Sequence, residues 1–331
     1  MCVMVTGAAG YVGSHMVHEL RQAGHRVVAV DDLSSGFRDA VSTEVPFVVG
    51  RIGDRTTMRQ TIRDHGVRDV IHFAGSIQVG ESVDAPRKYY RNNVVESLEL
   101  LESIIEEGVE RFIFSSTAAV YGTPVVTPIP EDHSTIPTNP YGDTKLAIER
   151  ALFAYAKAYG LATVCLRYFN AAGAHVEARL GERHQPETHL IPILIDALLG
   201  HRGPATIYGT DYETVDGTCV RDYVHVRDLA AAHLAALRYL SDGGRSTPIN
   251  LGSGTGNTVL EVVRMLEARA GRAVPVRLGP RRAGDPPALV ANIERAAELL
   301  GWRPTRDLET IIDDALRWHS QPANHQDVSH E

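Results

Sequence analysis

The run Thr6-Gly7-Ala8-Ala9-Gly10-Tyr11-Val12-Gly13 decides the fold. It directly follows the β-branched segment Val3 to Thr6 and opens Tyr11 to Ala23, which has helical periodicity. A strand, a glycine-rich turn and a helix in that order present free backbone N–H groups at a helix N-terminus, where a pyrophosphate binds. Glycine suits the turn because a Cβ would collide with the phosphate or strain the backbone. The spacing Gly7-x-x-Gly10-x-x-Gly13 is one residue wider than the Gly-x-Gly-x-x-Gly fingerprint of dinucleotide folds. A glycine triplet alone also suits a purely structural turn, so its surroundings decide. Asp31 ends the next β-branched run, near the distance expected for the carboxylate that bonds the adenosine ribose. Its charge would repel a 2′-phosphate, which favours NAD over NADP.

Beyond this unit, Arg26 to Val30, Val45 to Val49, Asp69 to Phe73, Arg111 to Ser115 and Ala162 to Tyr168 read as buried strands. Amphipathic segments such as Tyr89 to Glu107 alternate with them. That alternation predicts an α/β fold: a Rossmann-type, doubly wound parallel sheet with helices on both faces. Regularity drops over 171–221; Val226 to Leu240 is then helical, Pro248 to Leu251 a short strand, and Thr258 to Gly271, Ile293 to Leu300 and Leu308 to Ser320 helices. The expected organisation is a cofactor domain over 1–170 with a return segment 222–252. A second, smaller α/β substrate domain takes 171–221 and 253–320, and 321–331 is a flexible tail. Across 331 residues, 44% hydrophobic and 22% charged, the composition is that of an ordinary globular protein. A net charge of -8 gives no footprint for nucleic acid, so an anionic ligand needs local arginines. Cys2, Cys165 and Cys219 fit neither a disulfide framework nor a zinc site. With no signal peptide and no membrane-length apolar run, a cytoplasmic location is expected.

Asn139-Pro140-Tyr141 introduces a helix that carries Tyr141 and Lys145 on one face. This pair follows the fifth strand, whose end, Ser115-Ser116-Thr117-Ala118-Ala119-Val120-Tyr121-Gly122, offers hydroxyls to the ligand crevice. Further motifs join it: His72-Phe73-Ala74-Gly75, Val79-Gly80-Glu81-Ser82, Leu166-Arg167-Tyr168-Phe169-Asn170, Gly217 to Val226 and Asn250-Leu251-Gly252. Together they resemble the extended short-chain dehydrogenase/reductase family, in particular its UDP-glucose (UDP-galactose) 4-epimerases, from Val3 to about Trp318.

The resemblance implies an isomerase that inverts C4 of a UDP-sugar through a 4-keto intermediate, using tightly held NAD. It implies Tyr141 as the base, Lys145 as the stabiliser of its phenolate and Thr117 as a partner of the reacting hydroxyl. For the cofactor it implies Gly7, Gly10, Tyr11, Val12, Gly13, Asp31, Asp32, Leu33, Ser34, Ser35, Gly36, Arg51 and Ile52. Phe73, Ala74, Gly75, Asn92, Ser115, Tyr141, Lys145, Tyr168 and Phe169 complete that set. For the UDP-sugar it implies Thr117, Tyr141, Asn170, His189, Leu190, Thr206, Tyr208, Arg221, Arg282, Asp285 and Leu289. A homodimer through helices near Tyr89 to Glu107 and Tyr141 to Tyr159 is also implied.

Three positions depart from the family pattern. Arg51 stands where an Asp usually reaches the adenine amino group, and Arg has no acceptor; restoring Asp there is expected to strengthen NAD binding. Ile77 replaces a Lys common near the cofactor, and His189 replaces an Asn. Related dehydratases place Asp-Glu directly after the Thr, whereas Ala118 and Ala119 here cannot move protons, which argues against dehydration. A decarboxylase, or an epimerase of UDP-N-acetylhexosamines or UDP-pentoses, stays open, as does, from another class, a non-catalytic nucleotide-sensing module, against which the intact Thr117, Tyr141 and Lys145 argue. No metal is expected: His15 and His18 lie on a helix packed on the sheet, and His184, His189, His325 and His330 fit no ligand spacing.

Overall fold

The computed structural model describes residues 2–282 and 285–321. The chain starts with β1 (Cys2–Thr6), α1 (Tyr11–Gln22), β2 (Arg26–Asp31), β3 (Phe47–Val49), α2 (Arg55–His65) and β4 (Val67–His72). Next come α3 (Val79–Asp84), α4 (Pro86–Tyr89), a π-helical turn over Tyr90–Val95, α5 (Glu96–Glu106), β5 (Arg111–Thr117), α6 (Pro140–Tyr159) and β6 (Ala162–Tyr168). After these follow β7 (Asn170–Ala172), α7 (Leu190–Leu199), β8 (Ala205–Tyr208), β9 (Val220–His225), α8 (Val226–Ser241) and β10 (Thr247–Leu251). The last elements are β11 (Gly256–Thr258), α9 (Val259–Ala270), β12 (Val276–Gly279), β13 (Ala288–Leu289), α10 (Glu294–Leu300) and α11 (Leu308–His319).

Seven parallel strands form one sheet in the order β10-β6-β5-β4-β1-β2-β3. Because β1 lies between β2 and β4, the connections leave it in opposite directions, and a crevice opens at the carboxyl ends of β1 and β4. Each strand alternates between two apolar layers. Val3, Val5 and Ala29 face α1 and α8 with Met16, Leu20 and Leu229, whereas Met4, Val28 and Val70 face α2, α5 and α6 with Met58, Leu100 and Leu152. Burial on both faces is why these strands read as continuous β-branched runs.

The stretch 171–221, where the sequence shows few long periodic runs, holds α7, β8 and the start of β9. Helix α7 is apolar nearly all round because it is buried among Val262, Leu266 and Ile311, so it lacks the polar face that marks a surface helix. Strand β9 pairs with β7, β11 and β13 in a separate small sheet, so the crossing back to the large sheet is made by α8 from Val226. The amphipathic stretch Tyr89 to Glu107 is interrupted by the π turn and is not one uniform helix. The tail expected over 321–331 lies, beyond Gln321, outside the described residues.

One buried ion pair ties the sheet to α6. Arg167, from β6, donates through Nε and Nη2 to the Glu149 carboxylate of α6 at 2.9 and 2.6 Å, and both side chains are at least 95% buried. Arg167 Nη1 also donates to Tyr121 Oη at 3.0 Å and the Glu131 carbonyl at 3.1 Å, and Tyr121 donates to Asn250 Oδ1 of β10 at 2.6 Å. Breaking such a pair strands a buried charge. Glu149→Ala should cost about 3–5 kcal/mol of stability, measured by urea unfolding, and the apolar pair Glu149→Leu/Arg167→Met should recover a large part of it. Equal destabilisation in both variants would mean that the pair's charge is not what matters.

Candidate active site

The first wall of the crevice is the glycine turn. Gly7 has φ +69°, and a Cβ there would sit 2.5 Å from the Ala74 nitrogen. A Cβ on Gly13 would sit 2.0 Å from the Gly7 carbonyl oxygen. Both glycines are therefore demanded by the protein itself. Gly10 differs: its Cβ would meet nothing nearer than 3.4 Å, and it caps α1 without any side-chain partner. The first-turn N–H groups of Tyr11, Val12 and Gly13 have no intrahelical acceptor by geometry, which makes this end an anion site.

Asp31 lies at the end of β2, where its carboxylate accepts from Ala9 N at 2.9 Å and Leu33 N at 2.8 Å. Burial raises its pKa while those two amides oppose the rise. The following loop closes on the glycine turn through Phe37 N to Ala9 O at 2.9 Å, with Leu33 at φ +58° and Ser34 bonded to Asp32. Gly36 fits against Ala9, where a Cβ would lie 2.9 Å from the alanine methyl. Across the crevice Phe73 N donates to Thr6 O at 2.9 Å, and Thr6 Oγ1 meets His72 Nδ1 at 2.6 Å. Burial, assisted by the Lys145 charge, pushes His72 down to about 3, so it is a neutral brace.

The catalytic candidates meet at the end of β5. Asn139 caps α6 by accepting from Gly142 N at 2.9 Å, and Gly142 abuts the loop after Thr117 so closely that a Cβ would lie 2.7 Å from Ala119 O. This brings Tyr141 to the end of β5 beside Thr117; burial raises the Tyr141 pKa and the Thr117 side chain lowers it. Lys145, one turn on, is 3% exposed, donates to the Ser115 carbonyl at 2.9 Å and lies 4.9 Å from the Phe114 ring centroid. Burial drives its pKa down to about 8, against the pull of Glu149. Tyr168 lies edge-on to His233, and Phe169 joins the small apolar cluster of Ala118, Val120, Tyr121, Ile129 and Leu146.

The substrate candidates line the small sheet. Asn170 donates to the Asp222 carbonyl at 2.8 Å. Arg221 donates to Val220 O and Pro286 O at 2.9 and 3.0 Å and lies 3.5 Å from Asp285, which also accepts from Arg282 at 2.9 Å. Leu289 pairs in register with Arg221 and rests on the same apolar cluster as Phe169. Leu190 opens α7, and Arg282 stacks on Tyr208 at 5.1 Å.

The remaining positions find partners within the protein or lie partly exposed. Arg51 is ion-paired with Glu96, so an Asp there would face another carboxylate; the expected gain in NAD binding from Arg51→Asp is withdrawn. Asn93 rather than Asn92 is buried, bonding Ser76 O at 3.0 Å and Thr144 Oγ1 at 3.1 Å; Asn92 bonds Ser76 Oγ at 3.1 Å. Thr206 accepts from Arg277 at 2.8 Å, and Ile77 is 39% exposed. His189 binds Glu182 and Glu187 through Nδ1 at 2.8 and 2.9 Å. Burial works against its charge, yet those carboxylates raise it to about 10. Sequence reasoning missed Glu149 and Asp222. Glu149 repeats the four-residue step after Lys145, and Asp222 accepts from Ser253 N, Gly254 N and Ala291 N at 2.6–3.1 Å, a role that no local pattern reveals.

A model of the NAD dependent epimerase/dehydratase family matches residues 3–252. The chain belongs to that family. It is 51% identical over 317 residues to the UDP-glucose 4-epimerase of Azospirillum brasilense, covering 96% of this chain and 91% of that one. The Brucella ovis UDP-glucose 4-epimerase, solved in complex with NAD, superposes with a TM-score of 0.93 at 47% identity, covering 96% and 97% of the two chains. The Bifidobacterium longum enzyme, solved with NAD+ and UDP, gives 0.93 at 36% identity, covering 98% and 99%. The glycine turn, the uncapped α1 and the Asp31 carboxylate fit the pyrophosphate and ribose of NAD. The contrast between the glycines is testable: Gly10→Ala should fold with a melting temperature close to that of the NAD-free wild type but lose bound NAD, whereas Gly13→Ala should fail to fold. Circular dichroism and the nucleotide released on denaturation report both outcomes.

Proposed function

We propose that the chain catalyses the interconversion of UDP-glucose and UDP-galactose by inversion at C4, with NAD as resident cofactor. The observation that carries this is the meeting of Tyr141 with the end of β5, where the Thr117 side chain acts on its phenol and Lys145, one turn along the same helix face, donates to the Ser115 carbonyl. Bound NAD supplies the acceptor and later donor of the C4 hydride, and its positive ring favours a neighbouring anion. Tyr141 Oη takes the proton of the 4-hydroxyl, and Thr117 Oγ1 bonds that hydroxyl or relays the proton. In the protein alone burial disfavours the phenolate, and bringing a phenol from about 10 to about 7 needs roughly 4 kcal/mol of differential stabilisation. Lys145 contributes through space as a cation, which it remains below about pH 8. Inversion also requires firm holding of UDP and freedom for the hexose. Arg221 and Arg282 hold the diphosphate, with Asp285 as the partner each exchanges for it, and the family resemblance supports Asn170 and Leu190 as contacts of the nucleotide. The expected homodimer is supported by exposed Tyr90, Val95 and Tyr159 on the π turn and α6. Among the described residues no helix is long and apolar enough to cross a membrane, and we place the enzyme in the cytoplasm.

Incubation with a panel of UDP-sugars, resolved by chromatography, tests the assignment. Wild type should equilibrate UDP-glucose and UDP-galactose, and Tyr141→Phe should lose on the order of 10²–10⁴ in turnover while binding UDP normally. Near-normal turnover in that variant removes Tyr141 from the chemistry.

The sugar range follows from Leu289. Its place beside Arg221 and Phe169 supports a pocket-wall role, and leucine leaves more room than tyrosine. UDP-N-acetylglucosamine should therefore react measurably but more slowly than UDP-glucose. Leu289→Tyr should abolish the N-acetyl reaction and spare the plain hexose, read as the ratio of the two kcat/KM values. An unchanged ratio would place the range elsewhere.

A further inference from the structure

The loop between β7 and α7 gathers Glu182, His184, Glu187 and His189, and one ligand atom from each lies within 4.8 Å of every other. Both histidines turn Nδ1 inward. His189 Nδ1 is 2.8 Å from Glu182 and 2.9 Å from Glu187, and His184 Nδ1 is 3.1 and 3.5 Å from the same carboxylates. A tetrahedral ion with ligands at about 2.0–2.1 Å separates them by about 3.3 Å; the contacts here, 2.8–3.5 Å and made through Glu187 Oε1 to His189 but Oε2 to His184, are close enough that small side-chain adjustments would seat such an ion. Against burial, the carboxylates hold both imidazoles towards the charged form, His184 to about 9 and His189 to about 10, so an entering cation would replace the protons of a double ion pair. Glu182 Oε1 is shared by both Nδ1 atoms, and His184 Nδ1 is a buried nitrogen without a hydrogen-bond partner despite lying 3.1 Å from that oxygen.

The supports are those of a built site. Glu182 is 3% exposed, its carbonyl accepts from Trp318 Nε1 at 3.2 Å, and Gly181 lies flat on the same indole. Glu187 Oε1 is oriented by Thr188 N and His189 N at 2.7 and 2.8 Å. Two imidazoles and two carboxylates form a donor set suited to a zinc-class ion, and neutral imidazoles with two carboxylates balance its charge. We propose that Glu182, His184, Glu187 and His189 bind one divalent transition cation of the zinc class in a structural role. The ion would clamp the loop that covers the cofactor turn. The His184 ring lies edge-on to Tyr11, and Arg183 pairs with Asp39 and stacks on Phe37 at 4.1 Å. The absence of any metal-ligand spacing in the sequence is no obstacle, since the turns of the loop, not a helix face, bring the four together.

The test uses untagged full-length protein with its cofactor, treated with chelator and titrated with Co²⁺. One equivalent should produce visible d–d absorption that Zn²⁺ displaces, and bound Zn²⁺ should raise the melting temperature. His184→Ala and Glu187→Gln should each weaken Co²⁺ binding by more than the roughly 10–100-fold that loss of an outer partner costs. The control His325→Ala/His330→Ala should bind as wild type. No stoichiometric uptake by the wild type, or uptake unchanged in both cluster variants, overturns the proposal and leaves the cluster holding protons only. Should a cluster variant fail to fold, the wild-type titration and spectrum still decide.

Discussion

The buried pairing of Arg167 with Glu149 is the constraint on which the site depends. It joins β6 to the helix that carries Tyr141 and Lys145, and it reaches the end of β5 through Ser116, which also bonds Glu149, and the loop after Thr117 through Tyr121. Replacing it with apolar groups would cost little in stability on general grounds. What the pair supplies is position: one rigid carboxylate sets the rotation of α6 against β5 and β6, and so the distance between phenol and hydroxyl. The same carboxylate opposes the fall in the Lys145 pKa, so one group serves both geometry and charge.

Around that anchor the crevice divides its work between rigid and adjustable parts. Gly7, Gly13 and His72 are consumed by the protein's own packing and bring β1, β4 and α1 into close contact. Gly10 and the uncapped N–H groups behind it remain for a ligand. Arg221 and Arg282 both pair with Asp285, so the two guanidinium groups share one carboxylate. An acidic chain thereby keeps two local cations without a large positive field.

Asp222 links the two sheets. Its side chain receives N–H groups from the segment after β10 and from Ala291 just after β13, while its carbonyl receives Asn170. Asp222 thus ties the small sheet to the end of the large one, beside the register pair of Leu289 with Arg221.

The sequence alone determined the elements whose signals are local. Val3 to Thr6, the glycine turn and Asp31 could be read because strand periodicity, tight turns and helix N-termini are properties of neighbouring residues. Tyr141 and Lys145 could be paired because four residues make one helical turn. The motif at Thr117 could be placed because strand ends face the crevice. Tertiary structure decided the rest. Helix α7 is hidden in sequence because burial on all sides removes its polar face. Arg51 meets Glu96, Glu149 meets Arg167, and Glu182 meets His184 and His189 only through turns and chain crossings that local spacing does not encode. Charges find partners by distance in space, and that distance is set by the packing of elements, which no single stretch of chain contains.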